Sequence, residues 1–186
     1  MGQIQMKKIT VITIIIILCT GYLFASGFGE NDSTKNKISY WLGLGIGSNY
    51  FGPTLSMNLS FTVKHNLFMI KYSKSDEFRF GVENNFDEPP LTLKEIGILY
   101  GRYFRKNNLL LSASFGVSYL NGVNRGKNIQ YNDFEKTNIS TVGFPFEAEA
   151  MFEFTRYTGI GILFYGNINN KKLFTGGMLR IKIGYF

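Results

Sequence analysis

The chain has 186 residues, 16% of them aromatic and 18% charged, with a formal net charge of +7, one cysteine and one histidine. That length fits a single domain of ordinary size. The lone cysteine excludes an internal disulfide framework and any cysteine-built metal cluster.

Lys7 and Lys8 precede an apolar run at 9–18 that is broken only by two threonines, and Ala25, Ser26 and Gly27 follow as small residues at cleavage positions. This resembles a secretory signal peptide over residues 1–27. The apolar run is shorter than the roughly 20 residues a membrane helix needs. Cys19 is no lipoprotein anchor by its neighbours, since Leu18 stands where such a site wants a small residue. With Lys7 and Lys8 removed, 18 basic residues face 13 acidic ones, a mature charge of about +5, scattered rather than striped. Export and scatter together argue against nucleic acid as a partner. Lipopolysaccharide phosphates or a peptidoglycan surface are the counter-charges that remain.

A polar leader at 28–37 is followed by eight segments with period-two alternation. The first, 38–47, sets Leu42, Leu44 and Ile46 against Trp41, Gly43 and Gly45. The second, 54–64, sets Leu55, Met57, Leu59, Phe61 and Val63 against Ser56, Asn58, Ser60 and Thr62. In the third, 67–74, Phe68, Ile70 and Tyr72 oppose Met69, Lys71 and Ser73. Two phases fit the fourth, 92–104. The favoured one turns Ile96, Ile98 and Tyr100 outward and Glu95, Gly97 and Tyr103 inward, with Arg102 snorkelling at an interface.

The fifth segment, 109–120, alternates Leu111, Ala113, Phe115, Val117 and Tyr119 with Ser112, Ser114, Gly116 and Ser118, a pattern helical periodicity cannot produce. The sixth, 140–154, carries Glu147 and Glu149 on its polar side, and Pro145, which cannot donate to a ladder, predicts a bulge. The seventh, 157–167, turns Ile160, Ile162 and Phe164 outward. The eighth turns Leu179, Ile181, Ile183 and Tyr185 outward and Arg180, Lys182 and Gly184 inward.

Gap lengths alternate between short turns (65–66, 105–108, 155–156) and longer connections (75–91, 121–138, with 48–53 and 168–172 of intermediate length). Transmembrane barrels place short turns on the periplasmic side and long loops outside. Both chain ends then fall in the periplasm. Aromatic residues Tyr40, Trp41, Tyr50, Phe51, Tyr103, Phe104, Phe154, Tyr157, Tyr185 and Phe186 gather at strand ends, where interfacial girdles belong. A soluble lipocalin-like barrel would show the same alternation with its apolar side inward. Its exterior would be rich in Lys and Glu, whereas these strands offer mainly Ser, Gly, Asn and Thr on the polar side. The expectation is an all-β, eight-stranded antiparallel up-and-down transmembrane β-barrel over 38–186.

The signal peptide, the eight strands, the alternating gaps and the aromatic end, with the phrases EIGILYGRYF (95–104) and VGFPFEAEAMF (142–152), resemble the small outer-membrane barrels of the OmpA/OmpX type from Gram-negative bacteria. The resemblance implies an outer-membrane location in the cell envelope, the barrel-assembly machinery as a partner and no cofactor. One departure stands out: the family's last Phe shares the lipid-facing phase, which Tyr185 holds here.

An eight-stranded barrel is just wide enough for side chains to fill it, and an unpaired buried charge is costly. Lys71, Glu147, Glu149, Arg180 and Lys182 are therefore expected to form a charge network that plugs the lumen. A narrow porin-like pore for ions or small solutes is the alternative. An enzyme is not expected, because His65 sits in a short turn away from any Ser-Asp or Ser-Glu partner, and no metal or phosphate motif appears. Surface interaction rests on the long gaps, through Asp76, Glu77, Phe78, Phe80, Phe86 and Asp87 in one and Tyr131 and Phe134 in the other.

Overall fold

A pleated strand throws successive side chains to opposite faces, and the alternation along this chain builds β1 (Ile38–Asn49), β2 (Gly52–Val63), β3 (Asn66–Asp76), β4 (Thr92–Lys106), β5 (Leu109–Gln130), β6 (Asp133–Glu153), β7 (Thr158–Asn169) and β8 (Phe174–Tyr185). The computed structural model describes residues 38–77, 90–130 and 133–185, with backbone alone at 127–130 and 133–135. The expected signal peptide and leader (1–37), Phe78, Phe80, Phe86, Asp87, Tyr131, Phe186 and the side chain of Phe134 lie outside the described residues.

Each strand pairs antiparallel with the next, and β8 returns to β1 from Tyr40↔Tyr185 to Asn49↔Gly176, so the sheet closes on itself. Closure leaves no strand edge around the wall, which is what lets a sheet sit in lipid with every backbone group paired. The apolar phase points outward on every strand: Ile98, Phe115 and Ile162 are 69%, 67% and 67% exposed. This is the reverse of a lipocalin. A continuous exterior of Leu, Ile, Val and Phe on this scale is a membrane-facing surface. The favoured phase of β4 holds, with Ile96, Ile98 and Tyr100 outward and Glu95 buried inside.

One rim carries the tight turns. Lys64 and Asn107 sit there at φ 58° and 55°, the left-handed conformation a two-residue reversal needs. Ile38 and Tyr185 emerge on this same rim. We call it the turn rim, and the opposite one the loop rim.

Three expectations need correction. The gap expected at 121–138 is largely strand, because β5 and β6 run on together to Gln130↔Asp133. Polar residues there satisfy their backbones by pairing with each other rather than by forming a loop. Pro145 makes no bulge: the β5–β6 register is the same at Phe115↔Phe146 and Ser118↔Gly143, and the shifts occur beyond Arg125. The missing N–H removes local pairs without displacing the strand. Not all the expected girdle faces lipid. Tyr40, Tyr50, Phe104, Phe154, Tyr157 and Tyr185 are exposed on the outside, whereas Trp41 and Phe51 are buried in the lumen and Tyr103 packs against its apolar residues.

The β1–β8 seam is where large inward side chains meet glycine. Gly43 stands opposite Lys182, Gly45 opposite Arg180 and Gly47 opposite Met178. A methyl group at Gly45 would lie 2.6 Å from both Met178 Sδ and Ser56 Oγ. Gly45→Val should therefore overpack the lumen and cost about 1–3 kcal/mol, read as a lower urea midpoint in lipid vesicles. Gly177→Ala should leave that midpoint within about 0.5 kcal/mol of wild type, because a methyl there meets only Leu163 O at 3.9 Å.

Candidate functional site

The lumen is filled in three layers. Toward the loop rim, Phe51, Leu93, Leu120, Ile139, Tyr165 and Phe174 pack with Leu163 and Met178. Toward the turn rim, Trp41, Leu67, Met69, Leu99, Leu110 and Met151 form a second apolar layer. Between them lie six ionisable side chains, none more than 5% exposed: Glu95, Lys71, Glu147, Arg180, Glu149 and Lys182.

These six form one alternating chain down the barrel. Lys71 Nζ lies 3.2 Å from Glu95 Oε2 and 3.0 Å from Glu147 Oε1. The Arg180 guanidinium donates to Glu147 Oε2 at 3.1 Å and sits 3.8 Å from Glu149 Oε2. Lys182 Nζ closes the chain, 2.6 Å from Glu149 Oε2 and 4.8 Å from the centre of the Trp41 ring. Three cations and three anions alternate, so the buried layer is neutral as a whole. Neutrality with close pairing is what makes buried charge tolerable at all.

Geometry dictates which strands take part. Lys71 is on β3, Glu147 and Glu149 on β6, and Arg180 and Lys182 on β8. None of these strands adjoins another in the sheet, so each of these pairs crosses the lumen, tying together walls that backbone hydrogen bonds do not join. The glycines of β1 leave the room through which Arg180 and Lys182 extend.

The five expected network residues are thus brought together. Sequence reasoning left out Glu95, which Lys71 binds and which Ser73 and Asn167 also donate to, at 3.3 and 2.6 Å. Asn167 in turn donates to Ser118 Oγ at 2.7 Å. The signal for Glu95 was its inward phase on β4; the missing element was height, which strand alternation does not supply. Arg105 also pairs with the buried Glu153 at the turn rim, a contact not foreseen.

At the loop rim, Asp76 and Glu77 are held by their own chain. Asp76 pairs with Lys74 at 2.6 Å and accepts from Thr92 Oγ1 at 2.9 Å. Both carboxylate oxygens of Glu77 accept from Arg125 at 2.8 Å. Among the described residues no group of three or more His, Cys, Asp or Glu is placed to hold a metal ion. A cavity of about 700 Å³ opens at this rim, lined in part by Lys74, Asp76, Lys94, Asn121, Asn138 and Ser140. His65 is exposed at the other rim, where its ring centroid lies 6.4 Å from that of Tyr103.

Known structures share this architecture. The N-terminal β-barrel domain of Pseudomonas aeruginosa OprF matches with a TM-score of 0.59 at 10% identity, over 81% of this chain and 100% of that one. A major outer membrane protein from Thermus thermophilus matches at 0.59 and 7% identity, over 80% and 99%. Ail, the attachment invasion locus protein of Yersinia pestis, matches at 0.54 and 12% identity, over 82% and 100%. No protein-family model and no curated protein matches the chain. At such identities the likeness is one of fold, and the fold is that of the small eight-stranded outer-membrane β-barrels.

Proposed function

We propose that this protein is a sealed outer-membrane barrel with a structural and surface-interaction role, its turn rim and both chain ends in the periplasm and its loop rim outside. The observation that carries the surface role is the β5–β6 ribbon. Pairing of β4 with β5 stops at Thr92↔Val123, and pairing of β6 with β7 stops at Gly143↔Asn169. Beyond those points, among the described residues, β5 and β6 pair as strands only with each other, as far as Gln130↔Asp133. At about 3.3 Å per residue, the seven residues 124–130 carry this ribbon roughly 20 Å past the wall. Among the described residues no third strand lies along either of its edges, and an edge strand of this kind can take a strand from a partner chain. Ail, of the same fold, is named an attachment protein.

The seal is supported by the two apolar layers and the neutral charge chain between them. The narrow pore has no comparable support, because the large side chains Trp41, Arg180, Tyr165 and Phe51 fill the lumen. The remaining partners in this reading are outer-membrane lipid, lipopolysaccharide included, and the assembly machinery that inserts the barrel.

Replacing the ribbon beyond Val123 and Asn138 by a short Asn-Gly turn tests the surface role. The barrel should keep the difference in gel mobility between unheated and boiled samples, while displaying cells lose attachment to host-cell monolayers; retained attachment would refute the ribbon as the contact. Arg180→Met alone leaves Glu147 with Lys71 as its one remaining cation and three buried carboxylates facing two cations, and should cost about 3–5 kcal/mol in unfolding free energy. Arg180→Met with Glu147→Gln should recover part of that loss, and an unchanged midpoint in both variants would show that the network does not stabilise the barrel. In planar bilayers the protein should give no stepwise current; steady unitary conductance would establish the pore instead.

A further inference from the structure

The charges scattered along the sequence are not scattered in space. Lys64, Arg102, Lys106 and Arg156 are all exposed on the turn rim, where Arg105 is tied to the buried Glu153. Among the described residues no exposed carboxylate shares that rim. The loop rim, by contrast, mixes signs, with Lys74 on Asp76 and Arg125 on Glu77. The cations of the turn rim come from three adjoining turns. Tyr103 N donates to His65 O at 3.1 Å, joining the β2–β3 turn to β4, and Glu153 N donates to Asn108 O at 2.8 Å, joining the β4–β5 turn to β6.

We propose that this arc of the turn rim is a binding surface for the phosphate headgroups of anionic phospholipids in the adjoining leaflet. Position in the fold selects lipid over a polymer in the aqueous space. Tyr100, Arg102, Phe104 and Lys106 follow one another on the outward side of β4, and Phe154 and Tyr157, 61% and 59% exposed, flank Arg156. Cations alternating with aromatic rings at the border of an apolar belt sit at headgroup level, ring in the acyl boundary and charge at the phosphate. A polyanionic wall would be met by cations standing clear of the belt. Several basic side chains of one sign at a membrane surface favour anionic over zwitterionic headgroups. The surface depends on the barrel being embedded and not on which leaflet the turn rim meets.

The test uses the protein purified from the membrane and reconstituted in vesicles of phosphatidylethanolamine and phosphatidylglycerol at four to one. Lipids retained after detergent extraction are then counted by native mass spectrometry. Phosphatidylglycerol should be enriched several-fold over its bulk fraction. K64Q/K106Q/R156Q should return it to the bulk ratio while keeping the heat-dependent gel shift, and K136Q/K171Q at the other rim should leave the enrichment in place. Enrichment that survives the triple substitution would overturn the proposal. So would displacement of the lipid by millimolar inorganic phosphate, or binding of purified peptidoglycan with no lipid enrichment. Loss of the gel shift in the unsubstituted protein would instead strike the embedded barrel itself.

Discussion

Lipid on the outside of a closed sheet leaves polar side chains one destination, and in a barrel of eight strands that destination is barely wide enough to hold them. Everything inside this protein follows from that confinement. Strand pairing satisfies the backbone, but it sends half of every strand into the lumen. Charges arriving there from β3, β4, β6 and β8 meet one another as an alternating series. Glycine on β1 is the complement of length on β8, since the long side chains of Arg180 and Lys182 need wall without substituents opposite them. The apolar layers above and below then shield the series, which strengthens each pairing and raises the cost of breaking one.

Much of this was legible because period-two alternation is a strong and local signal. The phase of β1, β2, β3, β5 and β8 can be read directly from runs such as Leu55 to Val63, and phase decides which residues face the lumen. Height is not local. Whether Glu95 sits level with Lys71 depends on the stagger between β3 and β4, where Lys71 faces Gly97 and Ser73 faces Glu95. That stagger is set by turn geometry and closure around the whole barrel. The β5–β6 ribbon escaped for a different reason. Its sequence is mostly polar and lacks clean alternation, as a loop's does, and only mutual pairing makes it strand. Trp41 carried contradictory signals, an inward phase and an aromatic near a strand end, and the phase prevailed.

The two rims divide the work by charge. One pairs its acids with its bases and sends a ribbon outward; the other keeps its carboxylate buried and presents cations among aromatic rings. The lumen between them is neutral, so the net positive charge of the barrel lies on its surfaces and not within the wall.

Trp41 is the chain's single tryptophan, and it faces the lumen at 1% exposure beneath Lys182 instead of lying in the lipid interface. Its indole emission is therefore a report on packing around the β1–β8 seam, not on arrival in the bilayer. Brominated acyl chains, which darken interfacial indoles, would leave it nearly untouched, while a barrel inserted but not yet zipped along β1 and β8 would betray itself by a shifted spectrum. Insertion and closure, usually seen as one optical event, become separable in this protein with no label on the chain itself.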